Sequence, residues 1–262
     1  MNTNILYPLI DEAVQVHKLT TPLFPDYFKK NLSNVAPIVW FGSLGSSIPK
    51  IITFGANPSD KEFLDKNLVM LQAPRFPNSL NVHSVVASDI ETDDNNYFNL
   101  YPYKSWFNPL HSFAQDYFGI KDCIHIDALP FTTSDKFTKL DPSTIAVGST
   151  SGFACFGDVL SWGQCFARRL VLQIVQNDQV CGVLVCGRIN LKLFKTIFAG
   201  YINQTSSKSS HYTVNGRKYL IEKFYLQIGC HKIEVIGTSI YLPAPRIKGL
   251  SHKNLIAEIK KL

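Results

Sequence analysis

This 262-residue chain predicts an α/β fold: three layers, α/β/α, with a mostly parallel central sheet. Three observations carry that prediction. Segments of helical period alternate with short apolar runs along most of the chain, the order that packs a largely parallel sheet between helices. Two of those runs, 51–55 and 123–127, stop abruptly at polar residues and proline. Buried strands end this way where they deliver side chains to the edge of an open sheet. Apolar residues make up 45% and charged residues 18%, enough for a sizeable core rather than a disordered chain. Residues 1–262 are read as a single domain, with 60–105 as an irregular insertion near the active site.

The elements follow in order. Residues 4–17 place Ile5, Leu6, Leu9, Ile10 and Val14 on one side of an amphipathic helix. Ile38 to Phe41 and Lys50 to Phe54 are expected strands on either side of a Gly/Ser turn. Residues 60–100 are the least regular part and include an acidic, Asn-rich loop from Asp89 to Asn96. Trp106 to Tyr117 is an expected helix with Gly119 as its stop, leading into the 123–127 strand. A polar stretch, 132–151, precedes a long helix at about 158–177. Val183 to Cys186 is a short strand, followed by a helix at about 189–199. Val214-Asn215-Gly216-Arg217 is a hairpin turn. Lys232 to Ile236 is the last expected strand, and a helix at about 251–261 closes the chain.

Composition excludes several classes. No apolar run approaches the roughly 20 residues of a membrane span, and the N-terminus lacks a basic-then-apolar leader pattern. The six cysteines show no CxxC pair and no zinc spacing, so a reducing cytoplasm is expected, with no metal and no cofactor. Residues 188–262 carry 13 Lys and Arg against 3 acidic residues, whereas the rest carries 13 against 17. A basic C-terminal third suits a polyanion-binding face. The chain has no P-loop, no GxGxxG and no GxSxG. Three strand-end features remain: Asn57, Asp127 and the Pro-Ala-Pro-Arg loop at 243–246.

Gly55-Ala56-Asn57-Pro58-Ser59, Asp127-Ala128-Leu129 and Leu242-Pro243-Ala244-Pro245-Arg246, in that order, resemble the three motifs of the uracil-DNA glycosylase superfamily. These are a Gly-x-Asn-Pro turn after an early strand, a base reader on a middle strand, and a late His-Pro-Ser-Pro loop that enters the minor groove. The resemblance covers most of the chain and implies a parallel sheet between helices. It also implies hydrolysis of the N-glycosidic bond of a nucleotide flipped out of DNA. Asn57 would orient the attacking water through its side-chain carbonyl, since a dissociative transition state needs orientation more than deprotonation. Gly55, Ala56, Pro58 and Ser59 would line the base and phosphate. Pro243, Ala244, Pro245, Arg246 and Lys248 would contact DNA, with Arg246 as a wedge.

Two departures from the family narrow the reading. Leu242 stands where many members carry a His that supports the departing base. Asp127 stands where they carry an Asn that matches uracil. An ionised carboxylate only accepts hydrogen bonds, so it suits the amino group of cytosine rather than O4 of uracil. A protonated Asp127 would instead keep uracil as substrate. An unrestricted cytosine glycosylase would destroy its host's DNA. The expected substrate is therefore a modified cytosine, such as glucosylated hydroxymethylcytosine, and the biology resembles that of superfamily members in phage defence. A uracil or mismatch repair enzyme, a non-catalytic DNA-binding relative, and an unrelated α/β enzyme acting on a nucleotide or nucleoside are the alternatives. Phe76 is the first candidate to stack on the base, with Phe54 and Tyr97 as competitors. His125 alternates with Asp127 on one face of its strand and would orient it or touch a ligand. The expected partner is DNA, with no membrane, and the protein is expected to be a cytoplasmic monomer.

Overall fold

The computed structural model describes residues 3–45, 47–100, 102–133, 152–242, 247 and 249–262. The chain forms two compact units. One comprises Met1–Gly45, Ala56–Pro102 and Ile126–Val171; the other comprises Ser46–Gly55, Tyr103–His125 and Leu172–Leu262.

The second unit holds the sheet, whose strand order is β2-β1-β3-β6-β5-β4. The strands are β1 (Lys50–Gly55), β2 (Cys123–Asp127), β3 (Val180–Cys186), β4 (Ile202–Val214), β5 (Arg217–Ile228) and β6 (His231–Thr238). The last two residues of β2 belong to the other unit. β3 runs parallel to both β1 and β6, pairing Leu184 with Thr53 on one side and Ile236 on the other. β4 and β5 extend this sheet antiparallel. The sheet is therefore mixed, mostly parallel, in an α/β fold with six α-helices among the described residues.

The antiparallel edge follows from turn chemistry, because two-residue loops join only antiparallel neighbours. Asn215 and Gly216 take φ of 50° and 75°, the left-handed pair such a hairpin needs, as the sequence predicts. A second short turn, with Gly229 at φ 58°, joins β5 to β6.

Both faces of the sheet are covered within this unit. On one side α3 (Lys104–Phe118) and α6 (His252–Lys260) pack with Ile51, Leu184 and Ile236. On the other, α5 (Arg188–Ile197) sets Phe194 against Phe54 and Phe224, and Leu191 against Gly237. Gly119 ends α3 in the left-handed conformation, φ 73°, as predicted. Near one end of the sheet, Lys50 and Asp178 form an ion pair at 3.4 Å, both side chains almost fully buried.

The first unit is built on α1 (Tyr7–Leu23), α2 (Ala87–Asn96) and the first part of α4 (Phe156–Asn177). Glu12 of α1 binds Trp162 Nε1 and Arg169 of α4, and Tyr7 Oη donates to Glu91 of α2. His17 lies edge-on to Phe28 and Phe131, and Phe131 stacks on Trp162.

Two expectations fail in this unit. The segment 38–41 is buried but is not a strand. Its backbone is satisfied by other partners: Val39 and Trp40 N–H donate to the Asp94 carboxylate at 3.0 and 3.2 Å, and Ile38 N–H donates to Pro130 O. The acidic run 89–96 is not a loop but most of α2. Asp89 accepts the Val86 N–H at its start, while Asp93 and Asp94 turn inward to accept backbone N–H groups of Asn78, Val39 and Trp40. The stretch expected to be an acidic loop therefore lies within a helix, Ala87–Asn96.

Candidate functional site

β1 ends at Gly55, and the chain turns through Ala56, Asn57 and Pro58 into a single 3-10 turn, Asp60–Glu62. β2 ends at Asp127, followed by the fully buried Ala128 and Leu129. These two strand ends are tied together, because Leu129 N–H donates to Ala56 O at 3.0 Å. The tie fixes the turn that carries Asn57 against the turn that follows Asp127. Gly163 of α4 helps to hold it. A Cβ at Gly163 would come within 2.8 Å of Ala128 O and of Leu129 Cδ1.

Asn57 is half-buried, and its amide orientation is set by what the nitrogen binds. Nδ2 donates to Thr133 Oγ1 at 3.0 Å and to Pro58 O at 3.2 Å. With the nitrogen donating in this way, Oδ1 is the acceptor atom of the side chain. Thr133 was not singled out by the sequence motifs; it lies six residues beyond Asp127 in a polar stretch without any pattern of its own. Ser59 caps the 3-10 turn, its Oγ accepting from Lys61 N–H. Pro58 is buried, while Ala56 and Ser59 are half-buried.

Asp127 is 6% exposed. The residue closest to it in consequence is one the motifs did not mark. Glu62 lies in the 3-10 turn and is buried, accepting from Tyr97 Oη at 2.6 Å and Arg75 Nη1 at 3.1 Å. Burial raises the Glu62 carboxyl to about 6; Tyr97 and Arg75 pull it down, and the charge of Asp127 pushes it up further. Two carboxylates thus share one electrostatic neighbourhood. In sequence, Glu62 is one charge in Ser-Asp-Lys-Glu, which reads as a solvated turn.

Phe76 is fully buried, stacked on Tyr97 at 5.2 Å and packed against Phe41 and Phe63. Phe76 and Tyr97, two of the three candidates for a stacking ring, are therefore neighbours in one aromatic cluster, together with the hydroxyl that holds Glu62. Phe54 lies in the other unit, against Phe194 and Phe198. His125 is 2% exposed; its Nδ1 lies 2.8 Å from Thr53 Oγ1, and its ring meets Phe107 edge-on.

Leu242 is buried in the core beneath α3 and α6, with Ile240, Leu255 and Ile256. Pro243, Ala244, Pro245, Arg246 and Lys248 lie outside the described residues. Basic side chains elsewhere in the C-terminal third include Arg188, Lys192 and Lys195 of α5. They line a groove of about 600 Å³ with Leu191 and Leu220, and Lys195 pairs with Glu222 at 3.0 Å.

All six cysteines are free thiols, and burial pushes that of Cys123 up to about 12. Among the described residues, no group of three or more His, Cys, Asp or Glu is placed to hold a metal ion. No helix among them is long and apolar enough to cross a membrane. The chain matches no protein-family model, no curated protein and no solved structure.

Proposed function

We propose that the protein is a monofunctional DNA glycosylase that hydrolyses the N-glycosidic bond of a flipped, modified cytosine-type base and leaves an abasic site. Glucosylated hydroxymethylcytosine is the substrate favoured, with a role in defence against phage. The observation that carries the reading is the tie between the Asn57 and Asp127 turns through Ala56 O and Leu129 N–H. It holds the turns of Asn57 and Asp127 together, and on this reading the amide would orient water and the carboxylate would read the base, in the motif order that resembles the uracil-DNA glycosylase superfamily.

The chemistry assigned to each residue follows from its groups. The base leaves the stack because its sugar bond is inaccessible within the duplex. The Asp127 carboxylate accepts from the exocyclic amino group of the base. As the bond breaks, positive charge builds on the sugar. Asn57 Oδ1 holds a water at the anomeric carbon, and the held amide nitrogen keeps that oxygen in place. Leu242 has no polar group to support the departing base. That departure favours a second reading, a DNA-binding relative without catalysis.

Counting abasic sites in modified-cytosine DNA separates the two readings. The parent is expected to produce them, and Asn57→Ala to produce at least about 100-fold fewer with DNA affinity unchanged. Binding without abasic sites in the parent would favour the second reading. Asp127→Asn is expected to shift preference toward uracil, because an amide both donates and accepts.

A further inference from the structure

The groove beside α5 lies wholly within the second unit, and none of its lining residues belongs to the Asn57 or Asp127 turns. Arg188, Lys192 and Lys195 are spaced i, i+4, i+7, which puts them on one stripe of the helix, while Leu191, Phe194 and Ile197 are buried. Like charges at this spacing repel along a helix, and α5 has no acidic residue to relieve them. One acid enters the groove from β5. It is Glu222, whose two oxygens accept from Lys195 Nζ at 3.1 and 3.0 Å. Arg188 and Lys192 are exposed and pair with no carboxylate among the described residues. The groove therefore keeps an excess of positive charge that nothing described on this surface balances.

The cationic surface continues onto the β4–β5 hairpin. Lys218 alternates with Leu220 and Glu222 along β5 and shares their face. Across the ladder, Thr213, His211 and Ser209 of β4 stand opposite Lys218, Leu220 and Glu222. All three are exposed, and β4 carries no acidic residue. Ser239 adds a hydroxyl within the groove itself. Cations on the helix and hydroxyl groups on the sheet together match a sugar–phosphate backbone, whose oxygens accept from both kinds of group. We propose that the groove between α5 and the β4–β5 hairpin binds the phosphate backbone of a DNA duplex, with Arg188, Lys192 and Lys218 each meeting a phosphate. Lys195 stays with Glu222 and ties the helix to the sheet. The contact is independent of base sequence. It extends the DNA partner assigned above but requires neither base flipping nor catalysis.

The test measures affinity of the full chain for an unmodified duplex by fluorescence anisotropy over a range of NaCl concentrations. Arg188→Gln and Lys192→Gln in one chain are expected to lessen the steepness of log affinity against log salt by about 2. The same pair weakens binding by about one to two orders of magnitude at ~0.1 M salt. Lys218→Gln alone lessens the steepness by about 1. Lys260→Gln removes one charge from α6, on the opposite face of the sheet, and is expected to leave it unchanged. All four positions are exposed, so melting temperatures are expected to match the parent's. A parent that binds no duplex, a steepness unchanged in the groove variants, or an equal fall in Lys260→Gln overturns the proposal. Poly-glutamate bound as tightly as the duplex, with the same dependence on the groove, overturns the assignment to DNA. Base release from modified-cytosine DNA is followed with the same proteins. Release with an unchanged steepness sinks the groove and keeps the glycosylase reading. The expected fall in steepness without any release keeps the groove and sinks that reading.

Discussion

His17 shows how one buried side chain sets an acid limit on stability. It is packed edge-on between Phe28 and Phe131, and burial lowers its pKa from 6.5 to about 4, with the charge of His83 adding to the effect. Between those values the unfolded chain binds a proton that the folded one refuses, so stability is lost as pH falls from about 6.5 to 4. The loss amounts to about 3 kcal/mol. His17→Leu is expected to remove this limb, so that urea denaturation at pH 7 and pH 4.5 shows a smaller fall for the variant by about 2–3 kcal/mol. An equal fall in both proteins would place the acid sensitivity elsewhere. Glu62 runs the other way: its carboxyl is raised, so its contribution to stability is present below about 4.5 and lost as pH rises through about 6. The positions of Asn57 just past one strand and of Asp127 at the end of another were legible in the sequence, because each short apolar run stops at a sharp turn near proline. Glu62 was not, since nothing local distinguishes a charge that folds inward from one that stays in water.

At the scale of elements, tertiary partners decided what local pattern left open. Ile38 to Phe41 is apolar and β-branched in part, yet its N–H groups go to Asp94 and Pro130 rather than to a ladder. The run 89–96 has the composition of a loop, yet its two inner aspartates accept backbone N–H groups from other segments, Asn78 for Asp93 and the buried Val39 and Trp40 for Asp94, which gives the helix a reason to form. Neither outcome is visible without knowing which segments meet. Elements with a strong period or a strong turn signal, such as the helix after residue 155, the helix stop at Gly119 and the Asn215-Gly216 hairpin, were legible. The packing of α4 on the Asp127 turn carries its own prediction. Gly163→Ala would gain up to about 1 kcal/mol of helix propensity. Its Cβ would, however, press on Ala128 O. The net expectation is a loss of about 1–3 kcal/mol in stability, with at least about tenfold slower base release from the protein that remains folded. Unchanged stability and rate would mean that the turn yields without consequence.

At the scale of the whole chain, the parallel centre of the sheet was legible from alternating helices and strands. The antiparallel β4–β5 edge was announced only by the turn at its tip, since β4 is polar and mostly exposed. The basic C-terminal third places cations on α5 and on the β4–β5 hairpin, where the proposed DNA partner would need them. The fold leaves the reaction open, because one architecture hosts many chemistries. The claim of base excision rests on Asn57, Asp127 and the tie between their turns. Its most direct test is mass analysis of the free bases released from duplexes carrying cytosine, uracil, 5-hydroxymethylcytosine or its glucosylated form. The account predicts release of a modified cytosine in preference to uracil, abolished in Asn57→Ala. Release of uracil with every cytosine derivative left intact, or of no base at all, would contradict it.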